Sequence, residues 1–365
     1  MNIFIVTPYN IWPTTYGGAV RTFNLAKTLH SLGHEVTLFS ANTIPENQYD
    51  FSWKSFLSAN KASLFFNPNL TNTLKNEIQR RHPDLIIMEF PYHYFSLKRA
   101  LPPNPPFILY DAHNVEYDRF KRLQKPWISK IVRVAEKATY KNADAVITVS
   151  ETDKIKFERI YRKRKNVLIL ENGVDTNTFF PGTKDRSLIE KYNISSGPVI
   201  LYFGAYDYLP NKQAAYTLKN TLWKKIKSIF PTAKLLLIGK HPPFESSYTE
   251  DIIVTGAVDD IVSHIRLGDA LIVPLNSGGG TRLKIIEALA TGIPVASTPI
   301  GAEGIKVPTD NKSIIISELD GLPDALFTLL NHDKHTLSTD ARNFAETYDW
   351  TSLIKRIEWE TLQKK

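Results

Sequence analysis

Asp269-Ala-Leu-Ile-Val-Pro-Leu-Asn-Ser-Gly-Gly-Gly-Thr-Arg-Leu-Lys-Ile-Ile-Glu-Ala-Leu-Ala-Thr-Gly-Ile-Pro-Val-Ala-Ser-Thr298 is the stretch from which the rest of the chain can be read. Ala270 to Val273 is a short apolar run, as expected of a buried strand. Gly278, Gly279 and Gly280 follow. Leu283, Ile286, Leu289 and Ala290 then recur at helical spacing, so a helix is expected from near Thr281, ended by Gly292 and Pro294. Pro294 to Ser297 reads as the next strand. Strand, glycine loop, helix and strand make a right-handed crossover unit of a parallel sheet. In such a unit the loop at the strand's C-terminal end is the functional edge. Free N–H groups of Gly279, Gly280 and Thr281 at the helix start attract phosphate, and glycine lets a ligand approach the backbone. Arg282 and Lys284 add positive charge there, and Glu287 can accept hydrogen bonds from sugar hydroxyls. A tight turn with solvated cations would account for the same residues, so the loop alone leaves both readings open.

Composition sets the frame. The 365 residues suffice for two domains, with 42% hydrophobic and 22% charged residues, as in soluble globular proteins. There is no cysteine, which excludes disulfides, thiolate chemistry and cysteine-based zinc sites. No apolar run approaches the roughly 20 residues that span a bilayer. Met1 leads straight into Ile3 to Val6 without a basic leader, which argues against a signal peptide and for a cytoplasmic protein. The formal net charge of +8 points to an anionic partner such as a nucleotide or lipid headgroup. Nucleic acid is not expected, because no reading motif is present.

The first half opens as a doubly wound domain. Ile3 to Val6 is a strand, the loop to Gly17 and Gly18 follows, Ala19 to Leu32 has helical spacing, and Glu35 to Ser40 is the second strand. Arg21, one turn into the helix, is a candidate to bind an anionic acceptor. Ser52 to Arg81 reads as mostly helical. Asp84 to Glu89 is a strand, and Phe107 to Tyr110 is another that delivers Asp111-Ala-His-Asn-Val-Glu116 to the same edge. Imidazole, amide and carboxylate at a core strand's end are costly unless solvated or used; a bracing role for His113 is the alternative. In the helix expected over Trp127 to Asn142, Ile128, Ile131, Val132, Ala135 and Ala138 share one side. The other side carries Lys130, Arg133, Lys137 and Lys141. With the basic and aromatic residues just before it, this region is expected to touch an anionic membrane peripherally, on its inner face, unless it is simply a solvated helix face. Glu171-Asn-Gly-Val-Asp175 is a turn, and Thr183 to Gly197 reads as a linker between domains.

The second half restarts the plan. Pro198 to Phe203 is a strand ending at Gly204, and a helix begins near Gln213, with Asn211 a candidate cap. Ala233 to Ile238 and Ile252 to Thr255 are strands. The second of these runs into Gly256-Ala-Val-Asp-Asp260, where Asp259 is expected to cap the next helix. The last helix is expected over Leu353 to Leu362.

Taken in order, these strings resemble the retaining GT-B glycosyltransferases of family 4. Glu287 to Val295 matches that family's Glu-Ala-Leu-Ala-x-Gly-x-Pro-Val helix, Asp111 to Glu116 its Asp-x-His-Asn-x-Glu segment, and Asn172 to Asp175 its Asn-Gly-Val-Asp turn. The resemblance implies an α/β chain of two Rossmann-like doubly wound parallel-sheet domains facing across a cleft. These would be residues 1–175, onto which 351–365 crosses back, and residues 176–350. It further implies transfer of a hexosyl group from a UDP-, GDP-, ADP- or dTDP-sugar to a hydroxyl of a glycan, lipid-linked or small-molecule acceptor. Configuration would be retained, with no metal and no cofactor. Gly17 and Gly18 would lie beside the donor diphosphate and the acceptor. His113 would stand beside the donor sugar, with Asn114 and Glu116 nearby. Glu287 would hold the ribose, and Gly256, Val258 and Asp259 would border the base. Lys212, with Arg282 and Lys284, would face the diphosphate. Two positions depart from the family pattern: Gly279 replaces its first glutamate and Ala205 an arginine. A catalytically degenerate nucleotide-sugar-binding protein and a nucleotide-sugar epimerase are therefore the alternatives.

Overall fold

The structure is a computed structural model. It describes all residues except 13–15, 42–48, 57–64, 163–165, 195–196, 246, 249–250, 279–282, 358 and 360–365. The chain forms two compact units, Met1–Asn172 with Trp350–Lys365, and Gly173–Asp349.

In the first unit the chain runs β1 (Asn2–Val6), α1 (Gly17–Ser31), β2 (Glu35–Ser40), β3 (Ser52–Ser55), α2 (Pro68–Arg81), β4 (Leu85–Glu89) and α3 (Tyr94–Ala100). It continues through β5 (Phe107–Ala112), α4 (Glu116–Arg122), α5 (Pro126–Asn142), β6 (Ala145–Thr148), α6 (Glu151–Tyr161) and β7 (Val167–Ile169). The strands pair in the order β3-β2-β1-β4-β5-β6-β7, all parallel. Alternate residues of each strand feed opposite faces. Ile3, Ile5 and Ile87 meet Leu25, Ala26 and Leu29 of α1. Phe4, Ile86 and Met88 meet Leu70 and Leu74 of α2. This is a sheet with helices on both faces, and it switches winding direction between β1 and β4, where open α/β sheets bind ligands at the strands' C-terminal ends.

Within Ser52 to Arg81 the described residues form both a strand, Ser52–Ser55, and a helix, Pro68–Arg81, while 57–64 lie outside the described residues. Aromatic Phe51 and Trp53 stack with ring centroids 6.1 Å apart, Trp53 bonds Ser40 at 2.7 Å, and β3 becomes an edge strand. The helix begins at Pro68, capped by Asn67, whose side chain accepts from the Leu70 N–H.

The inward face of α5 also differs from expectation. Ser129, Val132, Ala135, Glu136, Thr139 and Tyr140 are buried, while Ile128 and Ile131 are exposed. A polar requirement sets this rotation. Glu136 accepts from the N–H groups of Glu116 at 2.7 Å and Tyr117 at 3.1 Å, filling the unpaired donors at the start of α4, and from the Tyr161 hydroxyl at 2.7 Å. Burial nonetheless pushes its carboxyl up to about 8.

The second unit repeats the plan with α7 (Arg186–Lys191), β8 (Val199–Phe203), α8 (Leu209–Thr217), α9 (Trp223–Ile229), β9 (Lys234–Ile238), β10 (Ser247–Tyr248), β11 (Ile252–Gly256) and α10 (Ile261–Ile265). Then come β12 (Ala270–Val273), α11 (Leu283–Ala290), β13 (Val295–Ser297), β14 (Ile314–Ile316), α12 (Leu322–Leu330) and α13 (Lys334–Glu346). The order is β10-β11-β9-β8-β12-β13-β14, parallel except for the β10 edge. The Thr183 to Gly197 segment is built into this unit: Tyr192 lies in its core and Lys184 pairs with Asp269 at 3.0 Å. The last described helix, α14 (Trp350–Lys355), belongs to the first unit, where Leu353 and Ile354 pack with α1 residues. No helix among the described residues is long and apolar enough to cross a membrane.

Candidate active site

At the first unit's switch point, β4 ends in Glu89 and β5 delivers Asp111 and His113 beside it. Phe90 follows Glu89 with a φ of +66°, a conformation rare for an aromatic residue, and this turn lays its ring on His113 with centroids 4.1 Å apart. His113 Nε2 is hydrogen-bonded to Glu89 Oε2, and Asp111 Oδ2 lies 3.8 Å from the same nitrogen. Glu89 Oε1 is buried without a partner, and burial, together with the neighbouring Asp111, raises the Glu89 carboxyl. Arg21 closes the cluster. Its Nε and Nη2 donate to the two Asp111 oxygens at 2.8 Å, and Nη1 donates to Leu170 O, Glu171 O and Asn172 Oδ1 at 3.0 to 3.2 Å. Glu89, Asp111 and His113 each bring a donor atom within 4.8 Å of the others, the spacing of a cation site. Arg21 already neutralises Asp111 in a bidentate pair, so the cluster reads as an ion-pair network rather than a metal centre. Gly18 faces it: a Cβ there would lie 3.2 Å from Phe90 Cζ and Tyr16 Cε2 and 3.4 Å from His113 Nδ1. Glycine at 18 keeps open the approach to His113.

Beyond His113, Asn114 donates to Glu116 Oε1 at 3.2 Å. Glu116 also accepts from the Tyr92 hydroxyl at 2.6 Å and from Arg119 at 3.0 Å. Glu116 is fully buried, a brace for the loop rather than a ligand contact.

At the second unit's switch point, β8 ends at Gly204 and β12 leads into the glycine loop. Gly204 has a φ of +149°, and a Cβ there would meet Asn211 Nδ2 at 2.8 Å and Lys284 Nζ at 3.0 Å. Lys284, on α11, is buried. Its ammonium donates to Asn211 Oδ1 at 2.9 Å and lies 4.2 Å from the centre of the Tyr202 ring. Asn211 is thereby a bracket within α8 rather than a cap: its amide donates to Ala205 O at 2.9 Å and its oxygen also accepts from the Tyr202 hydroxyl at 3.1 Å. One turn beyond Lys284, Glu287 is half-buried and its carboxylate has no side-chain partner among the described residues. Burial pushes it up to about 7, against the lowering pull of Lys284. Gly256 ends β11 with a φ of +74°. A cavity of about 590 Å³ lies between α8 and the loop after β12, lined by Gln213, Ala214, Tyr216, Pro274 and Asn276 among others.

Residues 16–178 match Glycosyltransferase Family 4, and residues 197–332 match Glycosyl transferases group 1. The chain is a family 4 glycosyltransferase. No curated protein matches it significantly in sequence. Among solved structures it resembles sucrose-phosphate synthase of Thermosynechococcus elongatus, at TM-score 0.76 and 17% identity, over 100% of this chain and 99% of that one. It also resembles a glycosyltransferase of Rickettsia africae (TM-score 0.74, 19% identity, 100% and 98% covered). A third is Anabaena HepE in complex with UDP and glucose (TM-score 0.72, 15% identity, 100% of both chains). These likenesses establish the GT-B fold.

The structure of this family 4 glycosyltransferase brings Gly18 and His113 together in one unit, and Lys284 and Glu287 in the other. Gly17 is exposed at the start of α1, beside them in sequence. Two expectations, for Arg21 and for Asp259, need correction. Arg21 is enclosed and its donors are spent on Asp111, the Leu170 and Glu171 carbonyls and the Asn172 side chain, so it is a strut and not an acceptor ligand. Asp260, not Asp259, caps α10, accepting from the Ser263 N–H at 3.0 Å; Asp259 is exposed and Val258 packs on the core. Apart from these corrections, Lys212 is exposed on α8, and Lys284 is a buried lysine beside Gly204. Gly279, Gly280, Thr281 and Arg282 lie outside the described residues. Glu89 and Asn211 were not among the residues singled out as ligands. A carboxylate closing the apolar run Leu85-Ile-Ile-Met-Glu89 was the available signal for the first. Asn211 had none, since its role depends on a lysine 73 residues away.

Proposed function

We propose that this glycosyltransferase moves a hexosyl group from a nucleoside diphosphate sugar to an acceptor hydroxyl with retention and without a metal. The observation that carries the reading is Lys284: a buried ammonium held on Asn211 beside the Gly204 backbone, with the half-accessible Glu287 carboxylate one turn along the same helix. A fixed cation beside permissive backbone suits a diphosphate, and a carboxylate without partners suits the two hydroxyls of a ribose. Lys284, with Arg282 and the N–H groups of 279–281, stabilises charge on the departing diphosphate. Gly256 to Asp259 border the base, and His113 positions the sugar. The transition state has oxocarbenium character, and a diphosphate oxygen takes the acceptor proton on the face the leaving group quits, which retains configuration. The fold neighbour HepE is described with UDP and with UDP-glucose, which puts uridine donors first in a trial.

The test is a thermal-shift panel of UDP-, GDP-, ADP- and dTDP-sugars, followed by product analysis with EDTA present. A ligand at a hundred times its Kd adds about 2.7 kcal/mol of stability. Stabilisation by one base family and an anomerically retained product support the reading. An isomerised donor without transfer would establish the epimerase alternative, and binding without turnover the degenerate one.

We further propose peripheral contact with anionic lipid, consistent with a lipid-linked acceptor. On α4 and α5, Leu123, Trp127, Ile131 and Val134 are 53, 78, 55 and 63% exposed, and Lys121, Arg122, Lys130, Arg133 and Lys137 surround them. An outward apolar stripe framed by cations is the composition that settles into an anionic interface. Flotation with anionic vesicles at low salt should carry the protein up, and Trp127→Ser with Ile131→Ser should abolish it. Protein that stays at the bottom in both forms rejects the membrane reading.

A further inference from the structure

Glu89 has no role in the proposed transfer, yet it is fully buried against His113. Five side chains with charge or titratable groups face this point: Glu89 from β4, Asp111 and His113 from the end of β5, Arg21 from α1, and Tyr16 from the loop before it. Tyr16 stays neutral, its phenol raised by burial and by the nearby Tyr9 and Glu89, and its hydroxyl is donated to Asn10 O at 2.7 Å. Arg21 and Asp111 cancel in a bidentate pair. An ionised Glu89 beside a neutral His113 would leave one net negative charge in a dry pocket, with Oε1 unpartnered. One extra proton makes the cluster neutral, and it can sit only on Glu89 or His113. If it sits on Oε2, that oxygen donates to Nε2 and the imidazole carries its own hydrogen on Nδ1. If it sits on Nε2, the ring is an imidazolium and Nδ1 again carries hydrogen. Both arrangements give the same outward chemistry. Nδ1 has no partner among the described residues and, unlike Glu89 Oε1, is not sealed from solvent; it faces the gap left by Gly18.

We propose that Glu89 is a positioning residue that holds one proton in the Glu89–His113 pair, so that His113 Nδ1 is a hydrogen-bond donor aimed past Gly18 at an acceptor oxygen of the sugar or its phosphate. The nature of that ligand rests on the transferase reading; the location of the proton does not.

The deciding experiment is long-range 1H–15N correlation on protein labelled with [15N]histidine, with His113 assigned by its loss in His113→Gln. At pH 7.5 His113 Nδ1 should have the shift of a protonated ring nitrogen. A bare, unprotonated Nδ1 with hydrogen only on Nε2 overturns the proposal, whatever the enzyme's activity. The second arm is kinetic. In the wild type, kcat/KM should fall as the pair loses its proton at high pH. In Glu89→Leu neither the compensating negative charge nor a donor to Nε2 remains, so that limb should move to lower pH by a unit or more, with kcat/KM down about tenfold at pH 7.5. A uniform loss with the limb unmoved would make Glu89 a packing residue only. If the wild type turns over no nucleotide sugar, the transferase reading fails while the nitrogen shifts still decide the proton.

Discussion

The proposed contact of Glu287 with the donor's ribose links donor binding to pH, and the size of the effect follows from the surroundings of Glu287. Its carboxyl is pushed from 4.5 up to about 7 by burial, with Lys284 the opposing influence. A ribose offers two hydroxyl donors, which only the carboxylate can accept in full, so binding selects the ionised form. With a midpoint near 7, about a tenth of the free protein is ionised at pH 6 and about nine tenths at pH 8, so affinity should rise roughly tenfold across that range. A nucleotide sugar is the right probe, because its diphosphate has no ionisation of its own there. Glu287→Gln should bind weakly at both values with no slope. The variant should also be the more stable protein. A carboxyl raised on folding stabilises the fold below its unfolded value and loses that contribution as pH rises through the folded one. The wild type therefore gives up about 3 kcal/mol between pH 4.5 and pH 8, less whatever solvent at this half-buried side chain restores. Titration calorimetry at pH 6, 7 and 8 with parallel thermal melts checks both halves. Donor affinity that is flat from pH 6 to 8 in the wild type would refute the assignment of Glu287 to the ribose.

Lys284→Met keeps an aliphatic side chain and deletes the ammonium that lies 4.2 Å from the Tyr202 ring centre and donates to Asn211. Its kcat should fall about 10²- to 10³-fold while its melting temperature changes little, and activity within twofold of wild type would remove Lys284 from the diphosphate site. Gly18→Ala adds a Cβ 3.2 Å from Phe90 and Tyr16 and 3.4 Å from His113 Nδ1. The φ is ordinary for L residues and alanine favours the helix, so stability should hold while kcat/KM falls at least about tenfold. A fully active alanine variant would mean that no ligand passes there. Glu136→Gln should flatten the stability profile: the wild-type carboxyl, pushed up to about 8, costs stability as pH climbs from 4.5 through 8, and glutamine does not titrate. Melting curves at pH 5.5 and 8.5 test this, and parallel shifts in the two proteins would contradict the burial argument.

The fold was legible because its signals are local and repeated. Apolar runs such as Ala270 to Val273 and Leu85 to Met88 can be little other than buried strands, and Gly292 and Pro294 stop a helix wherever they occur. The family strings then supplied Glu287, His113 and the glycine loops. What escaped the sequence were relations between residues far apart in it. The rotation of α5 was read from apolar periodicity. Glu136 overrules that pattern by reaching 20 residues back to the N–H of Glu116, which no single-helix pattern contains. Arg21 looked like a free cation because its partner Asp111 is 90 residues away. Lys212 and Lys284 were both placed at the diphosphate, and sequence register cannot show that Lys284 is the one held by the Asn211 side chain.

Of the two departures from the family pattern, Gly279 lies outside the described residues and Ala205 stands beside a cation from another element. Ala205 supplies no side-chain charge after β8. Lys284 reaches the neighbouring Gly204 from α11, fixed by Asn211 and the Tyr202 ring, so a cation stands at that strand end through a different element. An arginine tied to a carboxylate, as Arg21 is to Asp111, has spent its charge. The two switch points therefore divide their labour by chemistry. One closes its permanent charges into a neutral network and exposes a single ring nitrogen. The other sets a buried lysine one turn from a carboxylate that burial pushes up to about 7, an arrangement that suits a charged, hydroxyl-bearing ligand.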